Sequence, residues 1–111
     1  MNVSQLAAAC GFGVLAGEQA LPREITGIYS CDLLSIAMSR LPAQSAWVTV
    51  MGNINTIAVA SLADAACIVI AERMQPDEEA LAKAKAQDIA VLASEAPVFD
   101  TCLAIKKAAG L

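Results

Sequence analysis

The run Ala66-Cys-Ile-Val-Ile-Ala71 is the strongest constraint in this chain. It is continuously apolar, β-branched at its centre, and too short for a helix of ordinary length. Such a run suits a strand covered on both faces, as in a parallel sheet. The residues around it alternate in the same sense. Trp47-Val-Thr-Val-Met51 reads as a strand, and Gly52-Asn53 as a tight turn. Asn55 to Ala63 reads as a helix apolar nearly all round, and therefore buried on more than one side. Gln75-Pro-Asp-Glu-Glu79 opens a further helix, with Pro76 in its first turn and acids at its positive end. Asp88 to Ala93 is the last strand, and Phe99, Cys102, Leu103 and Lys106 mark a final helix. Strand–helix alternation implies parallel pairing through right-handed crossovers, with helices on both faces.

The first half is less regular. Asn2 caps a helix whose apolar residues fall at Val3, Leu6, Ala7 and Cys10, and Gly11 stops it. Gly13 to Ala16 and Ile25 to Tyr29 are extended pieces. Ser30 is the expected N-cap of a second helix, with Asp32 in its first turn and Pro42 at its end. The 111 residues form one expected domain, 1–111, of α/β class.

Composition narrows the function. The chain is 58% hydrophobic and only 16% charged, with a net charge of −4. So few charges on a small domain predict surface hidden against a second copy, and a homodimer is expected through the apolar helices around Ile57 and Leu34. An acidic chain with no basic run and few aromatics argues against nucleic acid and against an anionic membrane. No stretch is long enough to span a bilayer, and the first residues lack a basic region before their apolar run, so a cytoplasmic protein is expected. Cys10, Cys31, Cys67 and Cys102 fall in different elements without a CxxC pair, and histidine is absent. That predicts reduced thiols, no metal and no cofactor. It also removes every Ser-His and Cys-His pair, so a non-catalytic protein is expected.

In parallel sheets, ligands collect outside the carboxyl ends of the strands. Met51-Gly52-Asn53 lies at such an end, as do the segments after Ile70 and after Ala93. The helix opening at Asn53 or Asn55 offers free N–H groups to an anion. Thr49, Asn55 and Thr56 add polar side chains there, and Gly52 permits close approach. Arg23 is the candidate positive charge, and Asp32 and Ser35 a second wall. Each has a plainer alternative: Asp32 and Asn53 as caps, Arg23 as surface.

Three runs together resemble the DRTGG domain family. They are Pro22-Arg-Glu-Ile-Thr-Gly-Ile28, Cys31-Asp-Leu-Leu-Ser35 and Trp47-Val-Thr-Val-Met-Gly-Asn-Ile-Asn-Thr-Ile-Ala-Val-Ala60. Arg23, Thr26 and Gly27 match the name motif, while Pro22 stands at its Asp and Ile28 at its second Gly. The resemblance spans nearly the whole chain, as for a stand-alone member. It implies a three-layer α/β/α sandwich with a mostly parallel sheet, of the MurF and HPr-kinase N-domain type. It also implies a regulatory module for a small ligand such as a nucleotide or other anionic metabolite. Relatives stand at the N-terminus of HPr kinase/phosphorylase, beside CBS-domain pairs, or near iron-only hydrogenase genes. The alternative is thus an accessory subunit of a redox or kinase partner. Kinase activity itself does not carry over, since no G-x-x-x-x-G-K-[ST] loop is present.

Overall fold

The computed structural model describes residues 1–111. The N-terminal helix α1 (Val3–Cys10) leads into strand β1 (Gly13–Ala16), a 3-10 turn (Glu18–Ala20) and β2 (Gly27–Ser30). Strands and helices then alternate: α2 (Leu34–Arg40), β3 (Ser45–Thr49), α3 (Ile54–Ala63), β4 (Cys67–Ile70), α4 (Glu78–Ala86), β5 (Val91–Ala93) and α5 (Val98–Ala109). The sheet runs β1-β5-β4-β3-β2. β2, β3, β4 and β5 are mutually parallel, and β1 closes the far edge antiparallel to β5. The expected three-layer α/β/α sandwich with a mostly parallel sheet is what the chain forms.

Successive residues of a strand point to opposite faces, and this divides the core in two. Val48, Val69 and Leu92 meet Val3, Leu6 and Ile105 of α1 and α5. Trp47, Ile68, Ile70 and Val91 meet Ala37, Ile57, Ala60, Ala80 and Ala84 of α2, α3 and α4. Alanines in those helices let them lie close to the larger sheet residues. The high alanine content therefore serves packing within the chain. Ile57 is buried by the chain's own neighbours, so the surface around it is not the spare apolar face from which a dimer was expected.

Local chemistry moves three boundaries. The second helix does not begin at Ser30, which is the last residue of β2. Cys31, Asp32 and Leu33 stay out of the helix because they are held from the side. The Cys31 carbonyl accepts from Trp47 Nε1 at 3.0 Å, and the Asp32 carboxylate accepts from β3 and the residue after it. α2 starts only after Leu33, with no side-chain cap. The central strand begins at Ser45 rather than Trp47 and ends at Thr49, leaving Val50 and Met51 in the turn. Pro76 precedes α4 instead of opening it, and Asp77 takes the cap position.

Cys67 is completely buried in β4, and burial pushes its thiol up to about 12, partly offset by the Arg23 guanidinium. Cys10, Cys31 and Cys102 are partly exposed. At neutral pH Ellman's reagent is expected to leave Cys67 untouched until denaturant is added. Equal native reactivity of all the thiols would contradict the buried strand.

Candidate functional site

The four parallel strands end on one edge of the sheet, and the helices α2, α3, α4 and α5 begin there. Asp32 Oδ1 accepts from the Thr49 hydroxyl at 2.7 Å and from Val50 N at 3.0 Å. Thr49 Oγ1 in turn accepts from Met51 N at 3.2 Å. Asn53 caps α3, its Oδ1 accepting from Asn55 N at 2.9 Å, from Thr56 N at 3.1 Å and from Thr56 Oγ1 at 3.4 Å. The structure therefore brings Asp32, Thr49, Asn53, Asn55 and Thr56 to one edge, as the sequence suggested. It also gives the Asp32, Thr49, Asn53 and Thr56 side chains internal partners, and leaves the Asn55 side chain exposed. The α3 amides expected to face a ligand are taken by Asn53, and Thr56 is buried. Ser35 is exposed on the first turn of α2.

Two residues do something other than expected. Arg23 is at the opposite edge, on the order of 15 Å away along the strands. Its Nη1 donates to the Ala65 carbonyl at 2.8 Å and its Nη2 pairs with Asp64 at 2.9 Å, just before β4. It ties the loop before β2 to the turn before β4. Gly52 is filled from within the chain. A Cβ there would lie 2.6 Å from Pro76 Cα and 2.8 Å from Pro76 Cβ, and the Gly52 carbonyl accepts from Asp77 N at 2.8 Å. The missing side chain admits the β4–α4 loop.

The open space on this edge lies over β5. A cleft of about 430 Å³ is lined by Phe12, Gly13, Ser94, Glu95, Asp100 and Thr101. A smaller hollow of about 270 Å³, between Arg73, Gln75 and Ser94, adjoins it. The wall of the larger cleft holds a buried hydroxyl pair, Ser94 Oγ to Thr101 Oγ1 at 2.8 Å, and Ser94 is shared with the smaller hollow. The loops after β4 and β5 are laced together. Glu72 N donates to the Ala96 carbonyl at 2.9 Å and Arg73 N to the Ser94 carbonyl at 3.2 Å. The Glu72 carboxylate accepts from Val98 N at 2.8 Å, satisfying the first turn of α5. This lacing holds two consecutive residues left-handed, Glu72 at φ 62° and Arg73 at φ 58°. Each costs an L-residue roughly 1–2 kcal/mol.

Charge separates along the sheet axis. Asp32, Glu72, Asp77, Glu95 and Asp100 lie at the carboxyl edge, where the helices begin. Arg40, Lys83, Lys85, Lys106 and Lys107 lie in last turns at the amino edge. The arrangement suits the helix dipoles. Arg73 is the one cation of the carboxyl edge. Its partner Glu95 is 3.4 Å away and both are largely exposed, so the pair holds it weakly. Sequence reasoning missed Arg73, although the segment after Ile70 was one of the expected collecting points.

The sequence matches no protein-family model and no curated protein. The fold does have a solved counterpart. It is similar to the CBS and DRTGG domains of the regulatory region of Clostridium perfringens pyrophosphatase, solved with the activator diadenosine tetraphosphate. The superposition has a TM-score of 0.77 at 9% identity, and covers 96% of this chain but 46% of that one. At that identity the likeness shows the fold. This chain thus spans less than half the length of that relative.

Gly52→Ala is expected to destabilise by about 1–3 kcal/mol, because the Pro76 backbone must move. Asn53→Ala is expected to cost about 1 kcal/mol through the lost α3 cap. Urea denaturation of both variants measures this. A Gly52→Ala protein as stable as wild type would mean that the close approach of Pro76 is wrong.

Proposed function

We propose that the chain is one DRTGG-like regulatory module, 1–111, without catalytic activity, that takes a small ligand at the carboxyl edge of its sheet. The ligand class is a nucleotide or another anionic metabolite. The observation that carries this reading is the hollow over β4 and β5, with the loosely paired Arg73 at its rim. An arginine fork matches phosphate, and its guanidinium leaves Glu95 at little cost. Glu95 and Asp100 then remain to accept hydroxyl or amino hydrogens of a ribose or base. The likeness in fold to a regulatory region that binds diadenosine tetraphosphate supports the same class. Asp32, Ser35, Thr49, Asn53, Asn55 and Thr56 shape the adjoining part of the edge and keep β3 and α3 in place beside the site. Arg23 and Gly52 are part of the scaffold.

The left-handed pair supports the same location. Strain in consecutive non-glycine residues persists where the surrounding structure holds it, and such residues gather at ligand sites. Burial raises the Cys10, Cys67 and Cys102 thiols. Thiols so raised are poor nucleophiles at neutral pH, in keeping with a module that does no chemistry. A second reading is an accessory subunit for a redox or kinase protein. The side chain of Leu62 on α3, 75% exposed, favours it, and co-purification with such a partner tests it.

The deciding measurement is thermal shift with AMP, ATP and diadenosine tetraphosphate, each with and without magnesium. A ligand at a hundred times its Kd raises stability by ~2.7 kcal/mol. Arg73→Gly is expected to leave the free protein unchanged or up to about 1 kcal/mol more stable, since glycine relieves the left-handed strain. The same variant is expected to lose most of the ligand-induced shift. A full shift in Arg73→Gly places the ligand elsewhere. No shift with any compound at millimolar concentration favours the subunit reading.

A further inference from the structure

The two edges of the sheet are built differently. β1 carries a register shift between Val14 and Ala16, which spoils it as a template for another strand. β2 pairs with β3 in unbroken register, Gly27↔Ser45 to Ser30↔Val48. Nothing within Gly27-Ile-Tyr-Ser30 blunts its outer side. There is no proline, no charge and no bulge, the usual devices against pairing.

The hydrogen bonds show which groups this edge offers. The Ser45 and Thr49 carbonyls accept from Ala66 N and Ala71 N, on the β4 side. Alternation then turns Ala46 and Val48 toward β2, and in the observed register they engage Gly27 and Tyr29. Ile28 and Ser30 are left with N–H and C=O pointing away from the sheet.

We propose that this edge is the interface between two copies of the chain, with β2 antiparallel to the partner's β2 across a twofold axis. An edge strand's row of donors and acceptors is complementary to itself under that symmetry. Ile28 exchanges both bonds with the partner's Ser30, and Ser30 with the partner's Ile28. Tyr29 then sits on the axis, opposite the partner's Tyr29. That is a non-hydrogen-bonded position, where Cα atoms are ~4.5 Å apart and aromatic side chains pack together.

The flanks fit a second copy as well. α5 packs on one face of β2, with Cys102 against Ser30, and on the other face Tyr29 packs into the same core as Leu34 of α2. Between them they leave Leu33 57%, Ile36 41%, Phe99 71% and Leu103 50% exposed, apolar surface that the pairing would take from water. Arg40 ends α2, at the amino end of β2, and has no carboxylate partner within the chain. Asp32 follows β2 at its carboxyl end. Antiparallel pairing brings the amino end of one strand to the carboxyl end of the other, and so each Arg40 toward the partner's Asp32. This interface is independent of the ligand site over β5, on the other side of the sheet.

Static light scattering at tens of micromolar tests the proposal. The wild type is expected to show twice the protomer mass of 11.4 kDa. Ser30→Pro removes an outward N–H without touching the inward ladder, and is expected to give a monomer with unchanged circular dichroism. A second variant guards against misfolding of the first. Tyr29→Cys is expected to form a disulfide between its own copies under mild oxidation, identified as a 29–29 linkage by peptide mass spectrometry. A monomeric wild type overturns the proposal. So does a folded Ser30→Pro that stays dimeric, or a dimer in which Tyr29→Cys forms no 29–29 linkage.

Discussion

Strand β3 is buried from end to end, and the rest of the structure depends on how its polar groups are satisfied. Ser45, Trp47 and Thr49 all lie out of reach of solvent. Leaving one such group unpaired costs about 1–3 kcal/mol. Each finds its acceptor in the chain that passes nearby: the Pro42 carbonyl for Ser45 at 2.6 Å, the Cys31 carbonyl for Trp47 and the Asp32 carboxylate for Thr49. No buried side-chain nitrogen or oxygen is left without a partner. These bonds fix the path of the segment between β2 and α2, and through it the edge strand itself.

Much of this was legible in the sequence, for reasons of local physics. Asn2 with Gln5 makes a capping box, and Asn53 caps α3, because a cap is decided within a few residues. The apolar run around Val69 and the near-uniform apolarity of α3 announced elements covered on two sides. What was not legible depends on distant partners. Ser30 is a good cap in isolation, yet the tethering of Cys31 and Asp32 to β3 delays the helix past it. Gly52 reads as an opening for a ligand until Pro76, far along the chain, fills the space. Arg23 has the right chemistry for an anion and the wrong edge of the sheet, and only the fold can place it. Arg73 carries no signal of its own in the sequence, because nothing local shows that Glu72 and Arg73 turn left-handed to lace two loops together.

The carboxyl edge combines an acidic rim with a single cation. This follows in part from α4 and α5, which carry acids in their first turns and lysines in their last; that stabilises the two helices and leaves the strand ends beside them negative. A ligand there meets one point of attraction and several acceptors. Such a site discriminates by geometry more than by net charge, since a simple anion is repelled by the carboxylates that a polar ribose or base would use.

β1 adds a kinetic consequence. β2, β3, β4 and β5 join through local crossovers, so they assemble from contacts close in sequence. The pairing of Gly13 with Ala93 bridges most of the chain. Closing so long a loop is entropically costly, and such contacts form late. Until then one side of β5 is a bare edge, and the layer made by α1 and α5 is unfinished. During synthesis α1 can join the nearby segment before β2, but β1 must wait for β5, and the exposed side of α1 for α5. The slow step in folding is therefore the docking of the first elements onto the last.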